Sequence, residues 1–326
     1  MRQECMDITA PRFTDETAAR LHLEALNWPE GPFCPHCGSL NAKRLPPQVR
    51  KATKAHPGGT TRCGVVQCND CRKQYTVTVG TVFESSKIAL NKWLLCNHLL
   101  VSSKKGMSAH QIARMIGVTY KTAWFMMHRI REAMKATDTS PMGGFGATIE
   151  ADETYVGGKV TNRHASQRFG DKKSSPFRDK QPVVSLVQRG GQVRSFHVAK
   201  VNGATLRGVL VTNVDRGSWL MTDEHAGYKT VGKEFVGHGT VSHSTGEYGC
   251  ATYFHTNTIE NFFSIFKRGI IGVYHHVSEA HLKRYTTEFD FRYNTRNMTD
   301  FERADEALKG IAGKRLTYRR TDMLAT

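Results

Sequence analysis

The chain contains no run of eighteen apolar residues, so no segment reads as a membrane-spanning helix. Its first residues, MRQECMDITAPRF, lack the basic-then-apolar order of a secretory leader, and the expected compartment is the cytoplasm. Acids are scarce beside bases. Against 46 Lys and Arg there are 29 Asp and Glu, a formal charge of +17. An excess of that size points to a polyanionic partner more than to solubility. The bases are spread along the chain, not gathered in a tail, which favours an extended nucleic-acid surface over a basic anchor. The eight cysteines do not read as a disulfide framework in that compartment.

At 326 residues the chain is long enough for two or three domains. Three acids stand out. Asp152 lies in ATIEADETYVGG, where polar and apolar residues alternate as in a strand buried on one face. Asp223 follows SWLMT, a short apolar run that places it at a strand tip. Glu260 lies in NTIENFFSIFKRG, whose Ile259, Phe262, Phe263, Phe266 and Ile270 form a helical apolar stripe. Two strand-borne aspartates and a helix-borne glutamate on a basic chain suggest hard-cation chemistry on phosphates.

Each acid also has an ordinary reading. Asn257-x-x-Glu260 fits a capping box with Asn257 as N-cap, and an aspartate after a strand is often a turn former. Lys267 tips the balance, because seven residues is close to two turns and sets it on the face of Glu260, opposite the phenylalanines. Strand alternation puts Glu150 beside Asp152 and turns Glu153 to the other side, and Glu224 should likewise face away from Asp223. The 36 residues between Asp223 and Glu260 leave room for a helix and a short strand.

Two C-x2-C knuckles, Cys34-Pro-His-Cys37 and Cys68-Asn-Asp-Cys71, predict a zinc ribbon with one structural Zn2+ per chain. Residues 43 to 62, basic and rich in Pro and Gly, read as a loop inserted between them. Cys63 is a spare thiol that lacks a knuckle of its own, an alternative to Cys68. Cys96 falls on the apolar face of a following helix. SAHQIARMIGVTYKTAWFMMHRIREAM then has the pattern of a helix-turn-helix. Its first helix runs from about Ala109 to Met115, its turn is at Gly117, and Thr119 caps the second helix. In that reading Tyr120, Lys121 and Arg129 face DNA; the alternative is a plain helical hairpin.

The resulting division is a helical segment over 1–30, the ribbon over 31–84 and the helix-turn-helix over 85–135. A linker over 136–146, a catalytic domain over 147–300 and a basic tail over 301–326 follow. In the catalytic domain the strand of Asp152 precedes a hairpin, PVVSLVQ and QVRSFHVAK, hinged at Arg189-Gly190-Gly191. A helix over NGATLRGVLVTNV and the strand SWLMT come next. This α/β order is that of a ribonuclease H-like fold. The basic insertion 159–180 reads as a loop that orders on DNA through residues such as Lys172 and Lys173. His225 and His243 could assist the site. The aromatics Tyr248, Tyr253, Phe289, Phe291 and Tyr293, interleaved with Arg292 and Arg296, could stack on bases or pack a core.

The motifs CPHCGS with CNDC and YTVTVGTVF, ADETYVGGK, MTDEHAGY, and HTNTIENFFSIFKRGIIGVYHH with EFDFRYNTR occur together over roughly residues 30 to 300. In this the chain resembles bacterial insertion-sequence transposases of the DDE type with an N-terminal zinc ribbon, the ISXO-like branch. The resemblance implies that Asp152, Asp223 and Glu260 hold catalytic Mg2+ (or Mn2+), two ions per site, with Lys267 beside them. Some branches use asparagine at the third position, which leaves Asn261 a small claim. It implies binding of double-stranded DNA, both the element's terminal inverted repeats and the target, by a homo-oligomer without a membrane. Hydrolysis and strand transfer would be in-line phosphoryl transfer. The alternatives are a non-catalytic zinc-ribbon DNA-binding regulator and a structure-selective nuclease of the same fold.

Overall fold

The computed structural model describes residues 7–51, 60–157, 180–241 and 255–317. The basic insertion with Lys172 and Lys173, and also Cys5, His243, Tyr248, Cys250 and Tyr253, lie outside the described residues. The chain forms two compact units, one of Met1–Ser103, Met107–Lys135 and Met298–Thr326, the other of Lys104–Gly106 and Ala136–Asn297.

The first unit opens with α1 (Pro11–Thr14) and α2 (Glu16–Asn27); the Asp15 side chain caps α2 by accepting from the Ala18 N–H. The ribbon is a three-stranded antiparallel sheet, β1 (Ala42–Arg44), β4 (Val66–Cys68) and β5 (Gln74–Tyr75), with β4 in the middle. The expected inserted loop holds structure of its own. Within it β2 (Gln48–Arg50) and β3 (Thr60–Arg62) pair antiparallel, with Val49 opposite Thr61. Glu24 of α2 is buried and accepts from Arg20 (2.8 Å) and from Arg44 of β1 (2.6 Å), which ties the helix to the ribbon.

Three further helices follow, α3 (Leu90–Ser102), α4 (Ala109–Ile116) and α5 (Tyr120–Ala133). Trp93, Leu94, Cys96 and Leu100 of α3 are buried, as the apolar spacing predicts. Residues from 301, expected as a tail, instead hold α10 (Asp300–Lys309), opened by a complete Thr299–Glu302 capping box. This helix belongs to the first unit. Its Ala304 carbonyl accepts from Asn97 of α3 (2.8 Å), and Asp305 pairs with Arg12 (3.3 Å) and His22 (2.9 Å).

The second unit is built on a five-stranded sheet. The long β6 (Thr148–Gly157) pairs antiparallel with β7 (Lys180–Gln188), and β7 with β8 (Val193–His197). On its other edge β6 runs parallel to β9 (Trp219–Thr222), which is parallel to β10 (Gly237–Thr240). The spatial order is therefore β10-β9-β6-β7-β8. Between the strands lie α6 (Gly203–Asn213) and α7 (Ala226–Val231), and after them α8 (Asn257–Gly269) and α9 (Glu279–Asn294). Gly190, at φ +72°, supplies the left-handed residue of the β7–β8 turn. The alternation on β6 divides two cores. Ile149 and Ala151 pack with Leu206, Leu210, Leu220 and Tyr228 on one face; Val156 packs with Phe262, Phe263, Phe266 and Phe289 on the other. This mixed α/β sheet is consistent with a ribonuclease H-like domain. Among the described residues no helix is long and apolar enough to cross a membrane.

The segment 136–146, expected as a linker, carries backbone bonds within the second unit. Met142 is buried, its N–H donates to the Asn213 carbonyl (2.7 Å), and its own carbonyl accepts from the Asp215 N–H (2.8 Å), so the segment already docks on the second unit.

Candidate active site

Parallel pairing brings the two aspartates together. Ala151 of β6 stands opposite Thr222 of β9, so the next residues, Asp152 within β6 and Asp223 just past the end of β9, are level where the parallel pairing stops. The His225 N–H donates to Asp223 (3.1 Å) while the His225 ring caps α7 by accepting from Gly227 (3.2 Å). That histidine therefore shapes the turn that aims Asp223. Glu224 is exposed, as expected.

Glu153 is a residue that sequence reasoning does not select. Alternation does send it to the α7 face, where the Tyr228 hydroxyl donates to it at 2.9 Å. β9, however, stops at Thr222 while β6 runs on to Gly157, so beyond Ala151 groups on both faces of β6 can meet past the end of β9. The ligand oxygens of Asp152, Glu153 and Asp223 lie within 4.8 Å of one another. The adjacent acids of the Asp-Glu pair are the available signal. Burial raises the Asp152 carboxyl to about 7, assisted by the charges of Asp223, Glu153 and Glu260 and opposed by the Glu153 N–H. Glu260 is thus near enough for its charge to act on Asp152. Burial and Asp223 also push the Glu153 carboxyl up.

Such crowding suits a hard cation. Cis and trans oxygens of a ~2.1 Å octahedron are about 3.0 and 4.2 Å apart, within the spacing of these carboxylates. A divalent ion would also offset the burial and the neighbouring charges that raise Asp152. The residues present fit the group.

Glu260 projects from the first turn of α8 and is exposed, as is Asn261 next to it. The expected capping box does not form. The N-cap is Thr256 and its side chain caps no N–H, whereas its hydroxyl donates to Glu260 (3.2 Å). The acceptor for the helix start comes from another element: Glu150 of β6 accepts from the Ile259 N–H (2.9 Å). Lys267 is exposed two turns further on. It lines a groove of about 640 Å3 with Lys105, Ser264, Arg268 and Ile271, of which Ser264, Lys267 and Arg268 are on the same helix as Glu260. Phe289 is buried, Tyr293 meets Phe262 edge-on, and Arg292 is paired with Glu288, so this aromatic group packs the core.

In the first unit the four knuckle cysteines converge. Sγ–Sγ separations are 3.6 Å for Cys34–Cys71 and 3.6 Å for Cys37–Cys68. A tetrahedron with ~2.3 Å Zn–S bonds has edges of about 3.8 Å, so the set fits Zn2+. Cys63 is exposed and outside the cluster.

Gly117, at φ +64°, is the left-handed C-cap of α4, and Thr119 caps α5 by accepting from the Thr122 N–H (3.3 Å). Tyr120 and Lys121 are exposed, and Tyr120 stacks on His110 with ring centroids 4.2 Å apart. Arg129 departs from expectation. It is buried, donates to the Glu84 carbonyl (2.7 Å), and lies over Trp93 and Phe125. The helix is solvated at its N-terminal end and buried beyond it, so a basic residue this far along serves the core.

Sequence comparisons agree with this arrangement. The profile of the ISXO2-like transposase domain matches residues 143–294, and that of the transposase zinc-ribbon domain matches residues 14–74. The chain is also similar to a protein of transposable element ISH50 from Halobacterium salinarum. They are 26% identical over 298 residues, covering 86% of this chain and 91% of that protein. The catalytic profile spans every acid of the cluster together with Glu260 and Lys267, and the ribbon profile spans all four cysteines. The chain belongs to the ISXO2-like (IS1595) family of DDE transposases with an N-terminal zinc ribbon.

Proposed function

We propose that the protein binds the terminal inverted repeats of its own element and catalyses hydrolysis and strand transfer at their ends. The observation that carries this reading is the clustering of Asp152 and Asp223 at one strand rim, with the charge of Glu260 acting on Asp152. When bound, a pair of Mg2+ or Mn2+ ions supplies activation of the attacking oxygen and charge stabilisation at the leaving oxygen. Asp152, Asp223 and Glu260 would hold that pair. His225 keeps Asp223 turned to the rim through its N–H. Lys267, with Lys105 and Arg268, receives backbone phosphates along the groove. Because the exchange is between phosphodiesters and hydroxyls, no covalent protein–DNA intermediate is required. Two ends must be cut and joined together, which calls for a multimer in the DNA complex.

End recognition is assigned to the exposed start of α5, where Tyr120 and Lys121 can reach base edges. Contacts from Lys172 and Lys173 would be to phosphates and indifferent to sequence. The test is selective binding. DNA flanking the gene should carry inverted repeats bracketed by short duplications, and the full chain should prefer those ends to scrambled duplex. Tyr120→Ala with Lys121→Ala should erase most of that preference, about 1–3 kcal/mol for each base pair recognised. Flanks without repeats, or unaltered preference in the double variant, would count against the assignment.

A further inference from the structure

Glu150 lies two residues before Asp152 on β6, about 6.6 Å back along the strand. Its side chain is fully buried (0% exposed). A carboxylate in that position is costly unless it is paired and hydrogen-bonded. Here it is supplied with donors by two segments of chain, the β7–β8 turn and residues 255–259. One oxygen accepts from Arg189 Nε (2.7 Å) and Thr258 Oγ1 (2.9 Å), with His255 Nδ1 at 3.4 Å; the other accepts from the Ile259 N–H (2.9 Å). Arg189 in turn donates to the His255 carbonyl (2.6 Å), which holds the residue leading into α8.

Ile259 is the third residue of α8, where an N–H has no partner within the helix. An anionic acceptor there also meets the positive end of the helix dipole. Thr256, the N-cap, supplies no side-chain acceptor to the helix, so this bond to Glu150 anchors its start. Glu260 is the very next residue. Any shift of the helix start against β6 is therefore passed directly to the third acid of the site. Without a cation, Asp152, Asp223 and Glu260 repel, and a clamp is needed to keep the helix where the acids can share an ion.

We infer that Glu150 is a positioning residue of the active site, whose buried carboxylate locks the start of the Glu260 helix onto the Asp152 strand and so sets the cation-binding geometry. This rests on the reading of Asp152, Asp223 and Glu260 as the cation ligands. It differs from a purely structural role in one consequence. Loosening the clamp should weaken cation binding more than an equally destabilising change elsewhere in the same unit.

The experiment is Mn2+ binding to the full-length protein without DNA, followed by electron paramagnetic resonance, with thermal unfolding measured in parallel. Glu150→Gln keeps the shape but surrenders the charge facing Arg189 and the helix start. Thr258→Val removes one bond and leaves Glu150 in place. Asp290→Asn is the control, because Asp290 accepts from Ser195 (2.8 and 2.6 Å) on the far edge strand and touches none of the clamp. Glu150→Gln should weaken Mn2+ binding by about 10- to 100-fold, the range for residues that orient metal ligands, and Thr258→Val by several-fold. Asp290→Asn should leave it unchanged at a comparable fall in Tm. If Glu150→Gln lowers Tm but retains wild-type Mn2+ affinity, the inference is overturned. Should Glu150→Gln fail to fold, Thr258→Val decides, and unchanged Mn2+ binding there overturns it equally. A wild-type chain that binds no Mn2+ would instead overturn the reading of the three acids, and the positioning role with it.

Discussion

Glu153 and Lys267 flank the proposed ligands in different ways, and their losses should look different. Glu153 is held by the Tyr228 hydroxyl and shares the rim with Asp152 and Asp223. Glu153→Gln should raise the Mn2+ concentration needed for cleavage by roughly 10- to 100-fold, as outer partners of metal ligands do. Lys267→Ala removes the proposed phosphate contact and should leave that concentration unchanged while weakening DNA binding. Cleavage titrations against Mn2+ and against DNA separate the two. A second residue-scale expectation concerns Asp290, whose carboxyl is raised by burial to about 7 from an ordinary value of 3.8, despite the two bonds from Ser195. Between those values the folded state keeps a proton that the unfolded state has lost. Stability from this group is therefore full below about pH 4 and falls as pH rises to about 7. Urea unfolding at pH 5 and pH 7 should show a smaller loss in Asp290→Asn than in wild type; an equal loss would contradict it. Residue groupings are readable where chemistry and spacing coincide, as at Asp152 with Asp223 and at the four cysteines. Glu153 is hidden from the sequence because alternation within β6 does not show where the neighbouring β9 stops. Arg129 is hidden because a basic residue in a helix gives no sign, in sequence, of the carbonyl and rings that receive it.

At the scale of elements, the ribbon is the piece most dependent on its ion. Its sheet has two three-residue strands and a two-residue strand, too little to hold itself by burial alone. Cys34→Ser or Cys71→Ser should lose the zinc and unfold the ribbon locally, since a structural site contributes folding energy outright. Cys63→Ser should keep one zinc per chain, as measured by metal analysis of purified protein. Full zinc in both knuckle variants would rule out the assigned ligands. The elements themselves are mostly legible. A period-two run marks β6, strand-like runs about a Gly-Gly hinge mark β7 and β8, and the short apolar run SWLMT marks β9; the stripe of phenylalanines marks α8, and Gly117 with Thr119 marks the α4–α5 turn. What the pattern cannot supply is pairing across distance. Local spacing offers Asn257 as the cap of α8, whereas the acceptor comes from Glu150, 109 residues away. The β2–β3 hairpin is obscured because Pro, Gly and basic residues mark turns more loudly than three-residue strands mark themselves.

For the whole molecule, chain order and spatial order part company at the C-terminus. Helix α10 returns to the unit that begins the chain, with Asp305 bonded to Arg12 and His22. Its acidic first turn is masked in the sequence by the basic character of the residues beyond it. A fragment ending in the linker would lack this helix, so function has to be assayed on the full chain. The central claim is that one strand-rim cluster of acids, served by divalent cations, cuts DNA at the element's ends. The most direct measurement follows cleavage and binding of labelled end DNA by full-length wild type, Asp152→Asn, Asp223→Asn and Glu260→Gln, each with and without Mg2+. The account predicts Mg2+-dependent cleavage at the ends by wild type alone, at least about 1,000-fold (~4 kcal/mol) below it in each variant, with end binding within about threefold of wild type. Cleavage that persists in any of the three variants, or that proceeds equally well in wild type without divalent cations, would contradict it.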